Sequence, residues 1–221
     1  MNKIQALLFD CDGVLLDTER QIKQEVHNWL TKKDNYNITY DEFYIKTRGQ
    51  SISDTIKYLN SLNVEVSDDF FDFFDKYFIE NYKNMAVKMN NVDNMLESLA
   101  NYPKAVCSNG FVSLYTDTLE HHGLKKHFNE FFGIETTKHM KPKPDMFLQA
   151  AESLNVDIQN CLIIDDSCHT GVPGGKASQA GAVVGFIDEY ADRQAMHDAG
   201  ADYIITDLIE LPEIIKNINE G

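Results

Sequence analysis

Positive charge is what this chain has least of: across 221 residues, 20 lysines and arginines face 35 aspartates and glutamates, a formal net charge of −15. The basic residues form no stripe. Nucleic acid and anionic membrane are therefore disfavoured as partners, because those surfaces select for clustered Lys and Arg. Cysteine is scarce too. The four present, Cys11, Cys107, Cys161 and Cys168, include no CxxC pair, so they read as reduced thiols that pack as small apolar groups. No hydrophobic run approaches the roughly 20 residues of a membrane span. Asp10 also interrupts the first apolar run before a signal-peptide core could form, so the expected location is the cytoplasm.

What is present suits a folded core. Hydrophobic residues make up 43% and aromatics 11%, enough for one sizeable core carrying a small inserted domain. Apolar, often β-branched runs recur at 4–9, 105–107, 132–135, 161–164, 182–187 and 203–205. Helix-like segments separate most of them, at 112–122, 145–154, 173–180, 192–199 and 211–217. Such alternation predicts an α/β fold, a doubly wound parallel sheet with helices on both faces. Gly181 and Gly200 stand where helix C-caps are expected. From Leu15 to about Met89 the rhythm changes. Ile52, Ile56, Leu59 and Leu62 recur at helical spacing, as do Phe70, Phe73, Phe74, Tyr77 and Phe78, and this aromatic stripe, like Trp29, reads as core packing. The polar stretch 32–37 reads as a loop between helices.

The densest chemistry lies in Asp10-Cys11-Asp12-Gly13-Val14, directly after the first apolar run. Side chains two apart on an extended chain share a face. At roughly 5 Å, two ionised carboxylates repel by about 3 kcal/mol at an effective dielectric near 20. A bound cation or a proton must offset that. The pattern points either to a metal-assisted site, with one carboxylate as nucleophile and the other as acid and base, or to a solvated turn. Three further segments follow: Val106-Cys107-Ser108-Asn109-Gly110, Lys141-Pro142-Lys143-Pro144-Asp145 and Leu162-Ile163-Ile164-Asp165-Asp166-Ser167. Open parallel sheets bind ligands at the C-terminal ends of their strands. Asp10, Ser108 and the Asp165-Asp166 pair all come just after predicted strands, so three distant segments are expected to converge.

In order and spacing the four segments resemble the haloacid dehalogenase-like hydrolase superfamily, most of whose members are magnesium-dependent phosphatases. The resemblance spans nearly the whole chain. It implies a Rossmann-like core of residues 1–16 and 88–221 and an inserted α-helical cap of residues 17–87, hinged near 14–17 and 85–91. Asp10 takes the position of the nucleophile that forms an aspartyl-phosphate. Asp12 takes that of the acid and base, which argues against a dehalogenase. Mg²⁺ would be held by Asp10, the backbone carbonyl of Asp12, and Asp166, with Asp165 behind them or on a metal-bound water. All-oxygen ligands suit that ion. Ser108 and Asn109 match the phosphate-binding hydroxyl and backbone N–H donors, and Lys141 matches the lysine that neutralises nucleophile and phosphate, with Lys143 two residues away as a possible substitute.

The implied reaction is hydrolysis of a small phosphate monoester, with sugar phosphates or phosphorylated sugar acids as the expected substrates. In detail the core segments look most like bacterial sugar-phosphate phosphatases that accept 6-phosphogluconate. Mutases of the β-phosphoglucomutase type share the cap position. They carry a cap histidine where this chain has Ile22, and His27 comes too late in the helix to replace it, so a phosphatase is favoured. A non-catalytic binding module would be expected to lack one of Asp10, Asp12, Ser108, Lys141 or Asp166, and none is missing. In the segment Lys46-Thr47-Arg48-Gly49-Gln50, Arg48 reads equally as a partner for an anionic substrate group and as a solvated cation. His121, His122, His139 and His169 have no zinc-site spacing and read as surface or packing residues, His169 being the closest to a motif. The stretch Cys168–Gly175 looks longer than the family pattern after its serine and is expected to enlarge a loop there.

Overall fold

A strand covered on both faces must be apolar along its whole length, and β1 (Ala6–Phe9) is buried at every position. The computed structural model describes residues 3–33, 36–47, 52–64, 66–67, 69–188 and 191–221. After β1 come the short β2 (Leu16–Asp17) and four helices, α1 (Glu19–Lys33), α2 (Tyr40–Thr47), α3 (Ile52–Ser61) and α4 (Asp69–Met85). Next are β3 (Val87–Lys88), α5 (Val92–Ser98), β4 (Lys104–Cys107), α6 (Val112–His121), β5 (Glu130–Phe132) and α7 (Asp145–Ser153). The chain ends with β6 (Cys161–Asp165), α8 (Gly171–Ala177), β7 (Ala182–Phe186), α9 (Arg193–Asp198), β8 (Tyr203–Ile205) and α10 (Leu211–Glu220). It divides into two compact units, Met1–Leu16 with Lys88–Gly221, and Asp17–Val87. No described helix is long and apolar enough to cross a membrane.

The first unit holds a six-stranded sheet in the order β5-β4-β1-β6-β7-β8, and every neighbouring pair is parallel. This is the doubly wound α/β arrangement. The strand order reverses between β1 and β6, the point at which such sheets open a crevice for ligands. Register then fixes which residues meet there. Phe9 pairs with Val106 on one side and Ile164 on the other, so Asp10, Ser108 and Asp165 emerge at one edge. Alternate residues Ala6, Leu8, Ala105, Cys107, Cys161, Ile163 and Val183 pack with Met146, Phe147, Ala150 and Val172 in one core cluster. Each large side chain in it contributes about 1.5–3 kcal/mol by leaving water.

Four local expectations change. The strand expected over 132–135 is β5, ending at Phe132, because Gly133 and Thr136 close a turn: the Gly133 N–H donates to Thr136 Oγ1 at 2.8 Å and the Thr136 N–H to Gly133 O at 3.1 Å. Helix α8 begins at Gly171, so residues 171–175 are helical and not part of an enlarged loop. Pro173 is tolerated because first-turn N–H groups have no intrahelical acceptor. Gln179, φ +63°, takes the left-handed position after α8, while Gly181 is needed for space, a Cβ there lying 2.3 Å from Gln159 O. Gly200, with φ +103°, does follow α9 in the left-handed conformation. Helix α5 was not anticipated.

The second unit is helical. Val26, Trp29, Leu30, Tyr36, Phe43, Leu59 and Phe70 form its core, and the Trp29 and Phe70 rings meet edge-on at 5.0 Å. Ile22 and Ile56 pack against this cluster. Leu62 falls after the last turn of α3 and is exposed. The side chains of Ile52, Phe73, Phe74 and Phe78 lie outside the described residues. Within this core Lys23 is buried, its Nζ donating to Thr55 Oγ1 at 2.7 Å.

Candidate active site

Charge at the sheet edge is organised around Lys141. Its ammonium lies 2.9 Å from Asp10 Oδ1 and 2.7 Å from Asp165 Oδ2, and the lysine is only 4% exposed. Burial alone would lower the lysine's pKa, but Asp10 and Asp165 more than reverse this and hold it above its ordinary value. Lys143 is exposed, so the pairing distinguishes two lysines that sequence spacing left open. Asp10 Oδ1 also accepts the Cys11 N–H at 2.7 Å. Burial, then the Asp165 charge, push the Asp10 carboxyl up to about 7, against the pull of Lys141. Asp165 is fully buried, Oδ2 facing Lys141 and Oδ1 accepting the Ser167 N–H at 2.9 Å.

Asp12 stands near the serine of the second segment, with Ser108 Oγ 3.4 Å from Asp12 Oδ2. Ser108 Oγ accepts the Gly110 N–H at 3.0 Å, which fixes the hydroxyl at the end of β4. Asn109 turns its side chain elsewhere: Nδ2 donates to Lys141 O at 3.1 Å and Oδ1 accepts the Lys141 N–H at 3.0 Å. Asp166 lies beside Gly13, whose φ is +84°; a Cβ at Gly13 would meet Asp166 Oδ2 at 2.1 Å. The glycine thus allows both the turn and the approach of the carboxylate.

Asp10, Asp165 and Asp166 each offer an oxygen within 4.8 Å of the others. Asp12 adds further negative charge, which acts on Asp10, while Lys141 touches two of the four carboxylates. An all-oxygen donor set with such an excess of negative charge fits a hard divalent cation. Of the sequence-derived residues, Asp10, Asn109 and Asp165 contact Lys141, Ser108 contacts Asp12, and Asp166 lies within 4.8 Å of the Asp10 and Asp165 oxygens. Arg48 lies outside the described residues. His169 is exposed, its N–H donating to Ser167 Oγ at 3.3 Å. His139 Nδ1 lies 2.8 Å from Asp145 Oδ1.

Sequence reading missed the supports. The Gly171–Gly175 stretch packs α8 against the site: a Cβ at Gly171 would fall 1.7 Å from Asp165 Oδ2, and one at Gly174 would lie 3.2 Å from Pro142 O. A glycine-rich run preceding an apolar strand was the available signal. The run overlaps both the helix expected over 173–180 and the loop expected over 168–175, and neither expectation places its glycines against Asp165 and Pro142. Glu135 Oε1 accepts the Val112 N–H at 2.7 Å, at the first turn of α6. The Ile134 N–H donates to Gly110 O at 3.2 Å. This second loop therefore supports the serine loop from behind.

The model of the family described as haloacid dehalogenase-like hydrolase matches residues 7–185, and the chain belongs to that family. Among curated relatives, pyrophosphatase PpaX of Oceanobacillus iheyensis is 27% identical over 96% of this chain and 97% of its own. The 6-phosphogluconate phosphatase of Escherichia coli is 25% identical, over 98% of this chain and 96% of that protein. Among solved structures, a conserved haloacid dehalogenase-like protein of Agrobacterium tumefaciens superposes with a TM-score of 0.86 at 26% identity, covering 97% of this chain and 99% of that one.

Proposed function

We propose that this protein is a Mg²⁺-dependent phosphatase that hydrolyses a small phosphate monoester through an aspartyl-phosphate on Asp10. The observation that carries this reading is the buried Asp10–Lys141–Asp165 bridge beside Asp12 and Ser108. Phosphate-monoester hydrolysis is among the slowest uncatalysed reactions in water, and a carboxylate nucleophile divides it into two easier displacements. Asp10 attacks phosphorus. Asp12 gives its proton to the leaving alkoxide and then takes one from the attacking water, so one group serves both half-reactions. Ser108 Oγ and the backbone N–H groups of the 108–110 loop hold the phosphoryl oxygens, and Lys141 offsets charge on Asp10 and on the phosphoryl group.

Asp10, the Asp12 carbonyl and Asp166 would hold the magnesium. Asp165, with both oxygens already engaged by Lys141 and the Ser167 N–H, orients the lysine and α8. When bound, the ion neutralises the encounter of two anions and keeps Asp10 ionised. The helical unit is read as the cap that selects the substrate, with Arg48 pairing with an anionic group. His27 in that unit is turned to the Ile38 carbonyl, 2.7 Å from Nε2, and packs among Tyr36, Tyr40 and Phe43. This favours the phosphatase over the mutase, for which Ile22 supplies no proton-transfer group. The names of the relatives put inorganic pyrophosphate beside 6-phosphogluconate as test substrates.

Phosphate release should be assayed from 6-phosphogluconate, pyrophosphate, hexose phosphates, phosphoglycolate and β-glucose 1-phosphate, with Mg²⁺ and with chelator. Magnesium-dependent release that Asp10→Asn removes is the expected result. Release unaffected by that substitution sinks the mechanism, and isomerisation of β-glucose 1-phosphate without release supports the mutase instead.

A further inference from the structure

We infer that the Asn109 side chain is a positioning residue for Lys141 and not itself a phosphate ligand, an assignment that rests on the phosphatase reading above. A primary amide and a peptide unit match as donor and acceptor in both directions. Asn109 uses that match fully: Nδ2 donates to Lys141 O at 3.1 Å while Oδ1 accepts the Lys141 N–H at 3.0 Å. One side chain thereby fixes both backbone polar groups of a residue 32 positions away.

The consequence reaches the reacting groups through Lys141. Lysine carries four rotatable side-chain bonds and loses up to about 2 kcal/mol of rotamer freedom when held in one place. Its ammonium is nonetheless held between Asp10 Oδ1 and Asp165 Oδ2 at 2.9 and 2.7 Å. Those contacts fix the tip and Asn109 fixes the root. On either side of Lys141, Pro142 has no N–H and the Met140 carbonyl accepts the neighbouring Lys143 N–H at 2.9 Å, a bond within the same loop. The Asn109 backbone remains available to the serine loop, because the side chain alone is spent on Lys141. Asn109 therefore ties the phosphate loop after β4 to the loop carrying the lysine, so that the two close on a phosphoryl group as one piece.

The test is a double-mutant cycle on phosphate release, using the best substrate of the panel or para-nitrophenyl phosphate, together with crystal structures of the variants. Asn109→Ala should lower kcat by about 100-fold, as misplacement by roughly 1 Å does, with KM changed far less. Asn109→Asp, which keeps the acceptor for the Lys141 N–H, should lose less. In a Lys141→Ala background, Asn109→Ala should cost little more. Additive losses, or a rise in KM with kcat kept, mean that Asn109 contacts the phosphate directly and overturn the inference. The position of Lys141 Nζ gives a readout without activity. If the parent releases no phosphate from any substrate, the phosphatase reading fails, while an ammonium displaced from Asp10 in the Asn109→Ala crystal still supports the positioning role. An ammonium that stays in place overturns it, and Asn109→Ser replaces the alanine variant if that one does not fold.

Discussion

Lys141 in the sheet unit and Lys23 in the helical unit are buried to nearly the same extent, 4% and 3% exposed, yet their surroundings drive them in opposite directions. In the sheet unit, Asp10 and Asp165 touch the ammonium and outweigh burial, so Lys141 stays charged well above its ordinary range. In the helical unit, burial outweighs the influence of Glu19, and Lys23, whose ammonium meets the Thr55 hydroxyl, falls to about 8. The difference teaches that burial does not decide the charge state of a lysine. For Lys141 the two carboxylates touching the ammonium decide it.

Removing the positive charge from the carboxylate cluster should have the largest effect. Lys141→Met is expected to reduce phosphate release by about 100- to 1,000-fold, as loss of one electrostatic stabiliser does. It should also destabilise the sheet unit by about 3–5 kcal/mol, because Asp10 and Asp165 are left buried without their partner. Steady-state kinetics and urea denaturation read the two effects separately.

The support behind the same cluster is tested by Gly171→Ala, whose Cβ would overlap the Asp165 carboxylate. About 3 kcal/mol of stability should be lost through forced displacement, with activity falling because Asp165 no longer meets Lys141. A crystal structure showing Asp165 unmoved and full activity would remove α8 from the account of the site.

Lys23→Met sharpens the other side of the comparison. At pH 7 Lys23 is charged in both the folded and unfolded chain, and folding bears the cost of burying that charge. The folded pKa of about 8 lies below the ordinary 10.5, so between those values the unfolded chain binds more protons and parent stability rises with pH. The methionine variant lacks this term. It should be more stable than the parent by about 2 kcal/mol at pH 7, with the gap shrinking as pH rises from about 8 to 10.5. Denaturation midpoints at pH 7 and 9.5 measure it, and an unchanged gap would mean that folding does not lower the pKa of Lys23.

Arg48→Ala gives the smallest expected change. KM for an anionic substrate should rise several-fold with kcat kept, the loss of one ion pair worth about 1 kcal/mol. Kinetics across the substrate panel show which ester feels it.

The sheet was legible because buried parallel strands must be apolar throughout, and five of the six runs read from the chain fall within a residue or two of the strands that form. The sixth, β5, was placed too late: Phe132-Gly133-Ile134 looks strand-like, and the turn that ends it depends on the Thr136 hydroxyl. The helix expected over 173–180 forms as α8, starting two residues earlier, at Gly171. Its glycines disfavour a helix locally, and their use is apparent only once Asp165, Pro142 and Val183 stand against them.

By itself the sequence determined the acidic, hydroxyl and lysine segments, their order, and their places after apolar runs, since strand periodicity and motif spacing are local properties. Which of two nearby lysines enters the carboxylate cluster, where the Asn109 amide turns, and why α8 needs its glycines were decided only in the tertiary structure. Each depends on groups far apart along the chain that sheet register brings within hydrogen-bond reach.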